Sequence, residues 1–285
     1  MMMKKLYFFL LATVLLMSCS GKGDATKSII TVSIEPQRYF VEKIAGDRFK
    51  VRCMLDKGGS PETYEPSMAN MMLLEKSSAY FFMGKLGFET AIRGKITEYN
   101  PNIKSYDLSR GVSMLEGCHH FDADDDHGTD PHIWTSVANA KIIVTNIHAA
   151  LCELDPDGVE IFDENLRNFT AELNELQSQL DAKLADCRGK AFLVWHPSLS
   201  YFARDYGLQQ ISIEYEGKES PLKHVQDKID LAKSSGATVF FLQKDMDSAQ
   251  AAAVNAEIGA KVVEINPLSY NWKTEIERIA DAIAQ

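Results

Sequence analysis

Several absences narrow what this chain can do. Five cysteines are scattered over 285 residues with no CxxC pair, so neither a thiolate zinc cluster nor a redox dithiol of the usual spacing is indicated. HExxH and GxSxG are both missing, which removes the zinc-protease helix and the serine-hydrolase nucleophile elbow. The longest apolar run is too short to span a bilayer. Positive charge is scarce: 30 Lys and Arg stand against 40 Asp and Glu, a formal charge of -10. Such a balance argues against nucleic acid as a partner and against an electrostatic hold on anionic lipid, and it suits the attraction of cations. The remaining composition, 45% hydrophobic and 25% charged, is that of a folded globular protein long enough for two domains.

The N-terminus carries the first positive signal. Lys4 and Lys5 precede an apolar run from Leu6 to Met17 that ends at Ser18-Cys19, the layout of a secretory signal. Leu16-Met17-Ser18-Cys19 resembles a bacterial lipobox, with residues 1–18 as signal peptide and Cys19 as the lipidated first residue. The small polar residues that follow make 19–27 a tether. Removing residues 1–18 takes away two lysines and no acid, so the formal charge moves from -10 to -12. Cys53, Cys118, Cys152 and Cys187 remain, far apart, with no pairing specified.

Along the body, short β-branched or aromatic runs alternate with helical spacing. Strands are expected at Ile29–Ile34, Phe49–Leu55, Ala79–Met83 and Lys104–Leu108, with helices at Gln37–Ala45 and Ser67–Ser78. From Asp157 to about Asp186, apolar residues from Phe162 to Leu184 recur at steps of three and four, which predicts one long amphipathic helix. Strands then resume at Ala191–Trp195, Gln210–Ile213, Thr238–Leu242 and Lys261–Ile265. Helices are expected at Pro197–Tyr206, Pro221–Ser235, Ala249–Ile258 and Lys273–Ile283. The β-α alternation implies parallel sheets covered by helices. The expected fold is therefore α/β: a lobe over 28–155, a linker helix over 156–189 acting as a strut, and a second lobe over 190–285.

Chemistry concentrates in Gly117–Trp134, GCHHFDADDDHGTDPHIW, which holds four of the seven histidines. Its first part, 117–128, has no apolar period and reads as a loop in which His119, His120, His127, Asp124 and Asp126 collect a borderline metal. Cys118 could add a soft ligand there. Its last part differs, because Pro131 fixes the backbone before His132 and large apolar residues follow. In open α/β sheets ligands bind beyond the carboxyl ends of strands. The residues there are Glu62, His196, Glu214, Gln243 and Asn266. His196, held between an apolar strand and Pro197, could join His132 and Glu62 in a two-histidine, one-carboxylate metal site.

Several segments together carry a resemblance. Val32–Pro36, Val41–Asp47, Pro61-Glu62-Thr63-Tyr64-Glu65-Pro66, Asp130-Pro131-His132-Ile133-Trp134, His196-Pro197 through Leu208, Glu214–Pro221 and Gly259–Val263 occur in the order found in the zinc and manganese solute-binding lipoproteins of ABC importers, the ZnuA and TroA type. The resemblance implies a metal cleft between two α/β lobes joined by one rigid helix, little hinge bending, and a histidine-rich loop before the second motif. It further implies a monomer on the periplasmic side of a bacterial membrane, lipid-anchored through Cys19, that delivers a divalent ion to a membrane-embedded permease. This chain departs from the family at two places: Glu62 stands where the first histidine is usual, and Asn266 stands where many members carry a fourth, carboxylate ligand. The fourth position is then left to water, a loop histidine or Asn266. Oxygen ligation raises Mn2+ or Fe2+ as alternatives, and the histidine loop favours Zn2+. Tyr64, Trp134 and Tyr201 are expected to wall the site. Two other functions fit a metal-binding exported chain: a zinc hydrolase using the two-histidine, one-glutamate set, and a metal-buffering or adhesin-like lipoprotein with no transporter.

Overall fold

Ile29–Val32 (β1) is a run of β-branched residues, and three of its four side chains are buried. A strand buried on both faces must be covered by helices on both sides, and the chain supplies them. The computed structural model describes residues 27–116, 128–214, 221–243 and 248–285. The expected signal peptide, Cys19, and the loop residues Cys118, His119, His120, Asp124, Asp126 and His127 lie outside the described residues.

β1 leads into α1 (Glu35–Ala45), which carries Pro36 in its first turn and ends at Gly46, at φ 54°, a conformation that favours glycine. Then come β2 (Lys50–Cys53), α2 (Met68–Glu75), β3 (Ser77–Phe82), α3 (Gly87–Tyr99) and β4 (Lys104–Asp107). The four strands pair in parallel in the order β2-β1-β3-β4. After α4 (Val137–Leu154) and α5 (Val159–Lys183), the second half repeats the plan. It runs β5 (Ala191–Val194), α6 (Ser200–Tyr206), β6 (Gln209–Ser212), α7 (Leu222–Ser234), β7 (Val239–Gln243), α8 (Ser248–Ile258), β8 (Lys261–Ile265) and α9 (Trp272–Ala284). Its sheet, β6-β5-β7-β8, is again parallel and has the same order as the first. In both sheets the order reverses beside the first strand, β1 or β5, so the switch points where α/β sheets hold ligands lie there.

The expected strut is present, slightly shorter than its sequence pattern. α5 has 25 residues, about 37 Å at 1.5 Å per residue, and single 3-10 turns at Pro156–Gly158 and Ala185–Cys187 extend the pattern at its ends. Phe162, Phe169, Leu173, Leu176 and Leu180 are its buried stripe, as their spacing requires. It packs on α1 and α4 towards one lobe and on α9 towards the other.

Two helices, α3 and α4, are not among the sequence expectations, although the apolar residues of α4 recur at steps of three and four. α3 starts at Gly87 with no side-chain cap, and its buried face is built on Phe88, Ile92 and Ile96. α4 is capped by Ser136, whose hydroxyl accepts from the Asn139 amide at 3.0 Å. Among the described residues no helix is long and apolar enough to cross a membrane. Among the described residues the larger of two apolar clusters runs from β1 and β3 through α4 and α5 into α6 and α9, so the lobes share an interior, and the smaller lies within the second half.

Candidate metal centre

A cleft of about 790 Å³ opens between the lobes, at the carboxyl ends of both sheets. Glu62, His132 and His196 meet on its wall. Glu62 sits in the turn-rich segment after β2, where the Ser60 hydroxyl donates to Oε2 and leaves Oε1 facing the imidazoles. His132 precedes the 3-10 turn Ile133–Thr135 and is 5% exposed. His196 follows β5 by two residues and keeps 12% of its side-chain surface. The chain positions are far apart, yet the donor atoms form a near-equilateral triangle. Glu62 Oε1 is 3.2 Å from His132 Nε2 and 3.2 Å from His196 Nε2, and the two nitrogens are 3.2 Å apart. An ion bound tetrahedrally to three atoms so spaced lies about 2.0 Å from each, at the short end of the ~2.0–2.2 Å of zinc–nitrogen and zinc–oxygen bonds. The residues therefore fit a first-row divalent ion.

A carboxylate backs each histidine. Asp130 Oδ1 accepts from the His132 backbone amide at 2.8 Å and lies 2.9 Å from His132 Nδ1. Glu214 Oε2 lies 2.9 Å from His196 Nδ1. With Nδ1 donating outward, the Nε2 lone pairs face the cleft, which is the orientation a metal requires. Sequence reasoning placed Glu214 at a strand end without assigning this contact and missed it for Asp130. The signal for Asp130 is the Asp-Pro-His spacing, which lets one carboxylate reach both the amide and the ring of the residue two ahead.

The surroundings of both imidazoles favour their protonated forms. Burial disfavours charge on His196, but hydrogen bonds to Glu214 and Glu62 outweigh it and raise its pKa to about 9. His132 moves in the same direction: burial opposes its charge, and Asp130 and Glu62 overcome that. Burial would raise Glu62, yet the hydrogen bonds and charges of the two imidazoles hold it well below the ordinary carboxylate range. An incoming ion therefore competes with protons for both imidazoles.

The other expected residues are distributed differently. Asn266 lines the cleft, with its side-chain oxygen accepting from the Leu268 amide at 3.1 Å. Trp134 also lines it, with its ring centroid 5.2 Å from that of His132. Tyr64 instead donates to the Met54 carbonyl at 2.8 Å and packs edge-on against Phe88. Tyr201 is fully buried and donates to the Asp130 carbonyl at 2.8 Å, so it supports the site from behind. The Cys53, Cys152 and Cys187 thiols are free.

Comparisons with known proteins identify relatives of the whole chain. Residues 30–285 match the family described as "ZnuA: Zinc-uptake complex component A periplasmic". The high-affinity zinc uptake system protein ZnuA of Bacillus subtilis is 24% identical over 274 residues, covering 92% of this chain and 84% of that protein. The zinc-binding lipoprotein AdcA of Streptococcus pneumoniae is 25% identical over 279 residues, covering 93% of this chain and 56% of AdcA, so the chain spans little more than half of that relative. A solved structure described as the crystal structure of ZnuA superposes with a TM-score of 0.84 at 38% identity, covering 90% of this chain and 98% of that one. These relatives are named for zinc binding or uptake and lend nothing to an adhesin-like role.

Proposed function

The chain belongs to the periplasmic zinc-uptake component A family, and from that premise we propose that it captures Zn2+ between its lobes and releases it to a membrane permease. Glu62, His132 and His196 are the ligands, Asp130 and Glu214 orient the two imidazoles, and solvent takes the fourth place. The observation that carries this reading is the 3.2 Å triangle of donors from three distant parts of the chain. Two imidazoles favour zinc, and the single carboxylate keeps Mn2+ as the alternative cargo.

Capture sets the ion in competition with protons for the imidazole nitrogens. Because the larger apolar core extends through both lobes, capture needs no large opening of the cleft. Trp134 Nε1 donates to the Pro267 carbonyl at 2.8 Å, and Trp272 Nε1 donates to the Trp134 carbonyl at 2.7 Å. These bonds cross between the halves of the chain and support rigid capture. The lobes extend over 28–155 and 190–285, with 156–189 between them. The chain acts as a monomer anchored through Cys19, and His119, His120, His127, Asp124 and Asp126 raise the local metal concentration.

A hydrolase would need a free base beside a metal-bound water. Asp130 and Glu214 face the Nδ1 atoms, and Glu62 is itself a donor, which favours holding over turnover. Calorimetry with zinc on the mature protein and on a His132→Ala, His196→Ala double variant tests the assignment. Loss of the tight site in the variant is expected, and equal affinity in both proteins would sink it.

A further inference from the structure

A second set of metal-type donors converges away from the cleft, where α4 turns into α5. His148 and Cys152 are four residues apart on α4 and therefore share a face. Asp163 projects from the second turn of α5. His148 Nε2 lies 2.6 Å from Asp163 Oδ1 and 3.5 Å from Cys152 Sγ, and the three donor atoms all fall within 4.8 Å of one another. We propose that His148, Cys152 and Asp163 form a second cation site, selective for a zinc-class divalent ion, that clips α4 to α5.

The spacing is close to what such an ion needs. Tetrahedral bonds of ~2.0–2.3 Å hold donors about 3.3–3.7 Å apart. The nitrogen–sulfur distance already fits. The nitrogen–oxygen distance must widen by less than 1 Å (about 0.7 Å), and Asp163, with 53% of its side-chain surface exposed, has room to do so. Arg167 Nε donates to the Asp163 carbonyl rather than to its carboxylate. The backbone beneath is firmly set. Only Asp155–Gly158 joins the two helices, and a Cβ on Gly158 would fall 2.5 Å from Phe162 Cζ and 2.8 Å from Asp155 Oδ2. Glycine is thus required for the close turn that brings Asp163 opposite His148.

The donor set also defines the ligand class. A thiolate and an imidazole select zinc-class ions and reject Mn2+ and Mg2+. Cys152 is a free, half-buried thiol, and burial followed by the Asp163 charge raises its pKa. Binding therefore releases the thiol proton to solvent as the sulfur–metal bond forms, and the proton that His148 Nε2 donates to Asp163 leaves as well, so that the Nε2 lone pair takes the ion. The cleft triad contains no sulfur, so the two sites can be read separately.

The test is a Co2+ titration of the reduced mature protein carrying Cys118→Ser, which removes the thiol of the histidine-rich segment. The expected result is a near-ultraviolet thiolate-to-cobalt charge-transfer band saturating at one equivalent. It should vanish in Cys152→Ser and His148→Ala and persist in the His132→Ala, His196→Ala variant, with zinc stoichiometry falling by one equivalent in Cys152→Ser. Absence of the band, its survival in Cys152→Ser, or its loss in the cleft variant would each overturn the proposal. The first two results leave the cleft assignment untouched.

Discussion

Asp130 Oδ1 holds His132 twice, at 2.8 Å from its backbone nitrogen and 2.9 Å from its ring Nδ1. One buried carboxylate oxygen therefore sets both the main chain and the ring of a residue whose other nitrogen faces the cleft. Replacing such an outer partner of a metal-binding histidine typically costs ~10–100-fold in affinity. Asp130→Ala is expected to lose zinc affinity in that range. Asp130→Asn keeps an acceptor but not the charge, and should lose less. A competition titration with a chromogenic chelator measures both, and equal losses would show that the charge, not the retained acceptor, holds His132.

Glu62 supplies the one charged donor of the triad. Glu62→His is expected to retain zinc binding while lowering affinity for Mn2+ by a larger factor, because an all-imidazole set is less suited to a hard ion. Paired zinc and manganese titrations read the ratio directly. A ratio unmoved by the substitution would show that Glu62 does not set metal preference.

The raised histidine pKa values have a signed consequence for binding. The ion needs neutral imidazoles, and His196 in the metal-free site holds its proton up to about pH 9. Affinity should therefore keep rising with pH well beyond the ordinary histidine value of ~6.5 and level off near 9. Below that, each displaced proton weakens apparent affinity by about tenfold per pH unit. Calorimetry in buffers of different ionisation enthalpy should find protons released on binding at neutral pH. A plateau already reached at pH 7 would contradict the protonated site.

Trp134 ties the two halves of the chain through its ring nitrogen and its carbonyl. Trp134→Phe removes the bond to Pro267 and leaves that carbonyl without its donor, at a cost of ~1–3 kcal/mol. Urea unfolding should show a lower midpoint with an unchanged slope. Zinc affinity should fall less than in Asp130→Ala, since the partner of His132 Nδ1 is preserved.

Much of the architecture was legible because it rests on local periodicity. The Phe162-to-Leu184 stripe required a long helix of about this extent, and runs such as IITV and AFLV required strands buried on both faces. His132 and His196 stood out for a related reason: each lies beside a proline and next to a buried apolar segment, so its backbone is held locally. The helices α3 and α4 were harder to see. α3 lacks a capping side chain, and α4 starts close behind the Asp130–Trp134 motif, after the single capping serine Ser136.

The sequence by itself determined the two β-α halves, the long helix between them and the donors that could bind a metal. Only the tertiary structure decided that Glu62 Oε1 touches both imidazoles and that Asp130 and Glu214 orient them. It alone brings His148 and Cys152 to Asp163. Strand and helix signals are written in neighbouring residues, because backbone geometry repeats every two or 3.6 positions. Contacts across the sequence separation of 64 between His132 and His196 depend on how two sheets and one helix pack, and no local pattern records that.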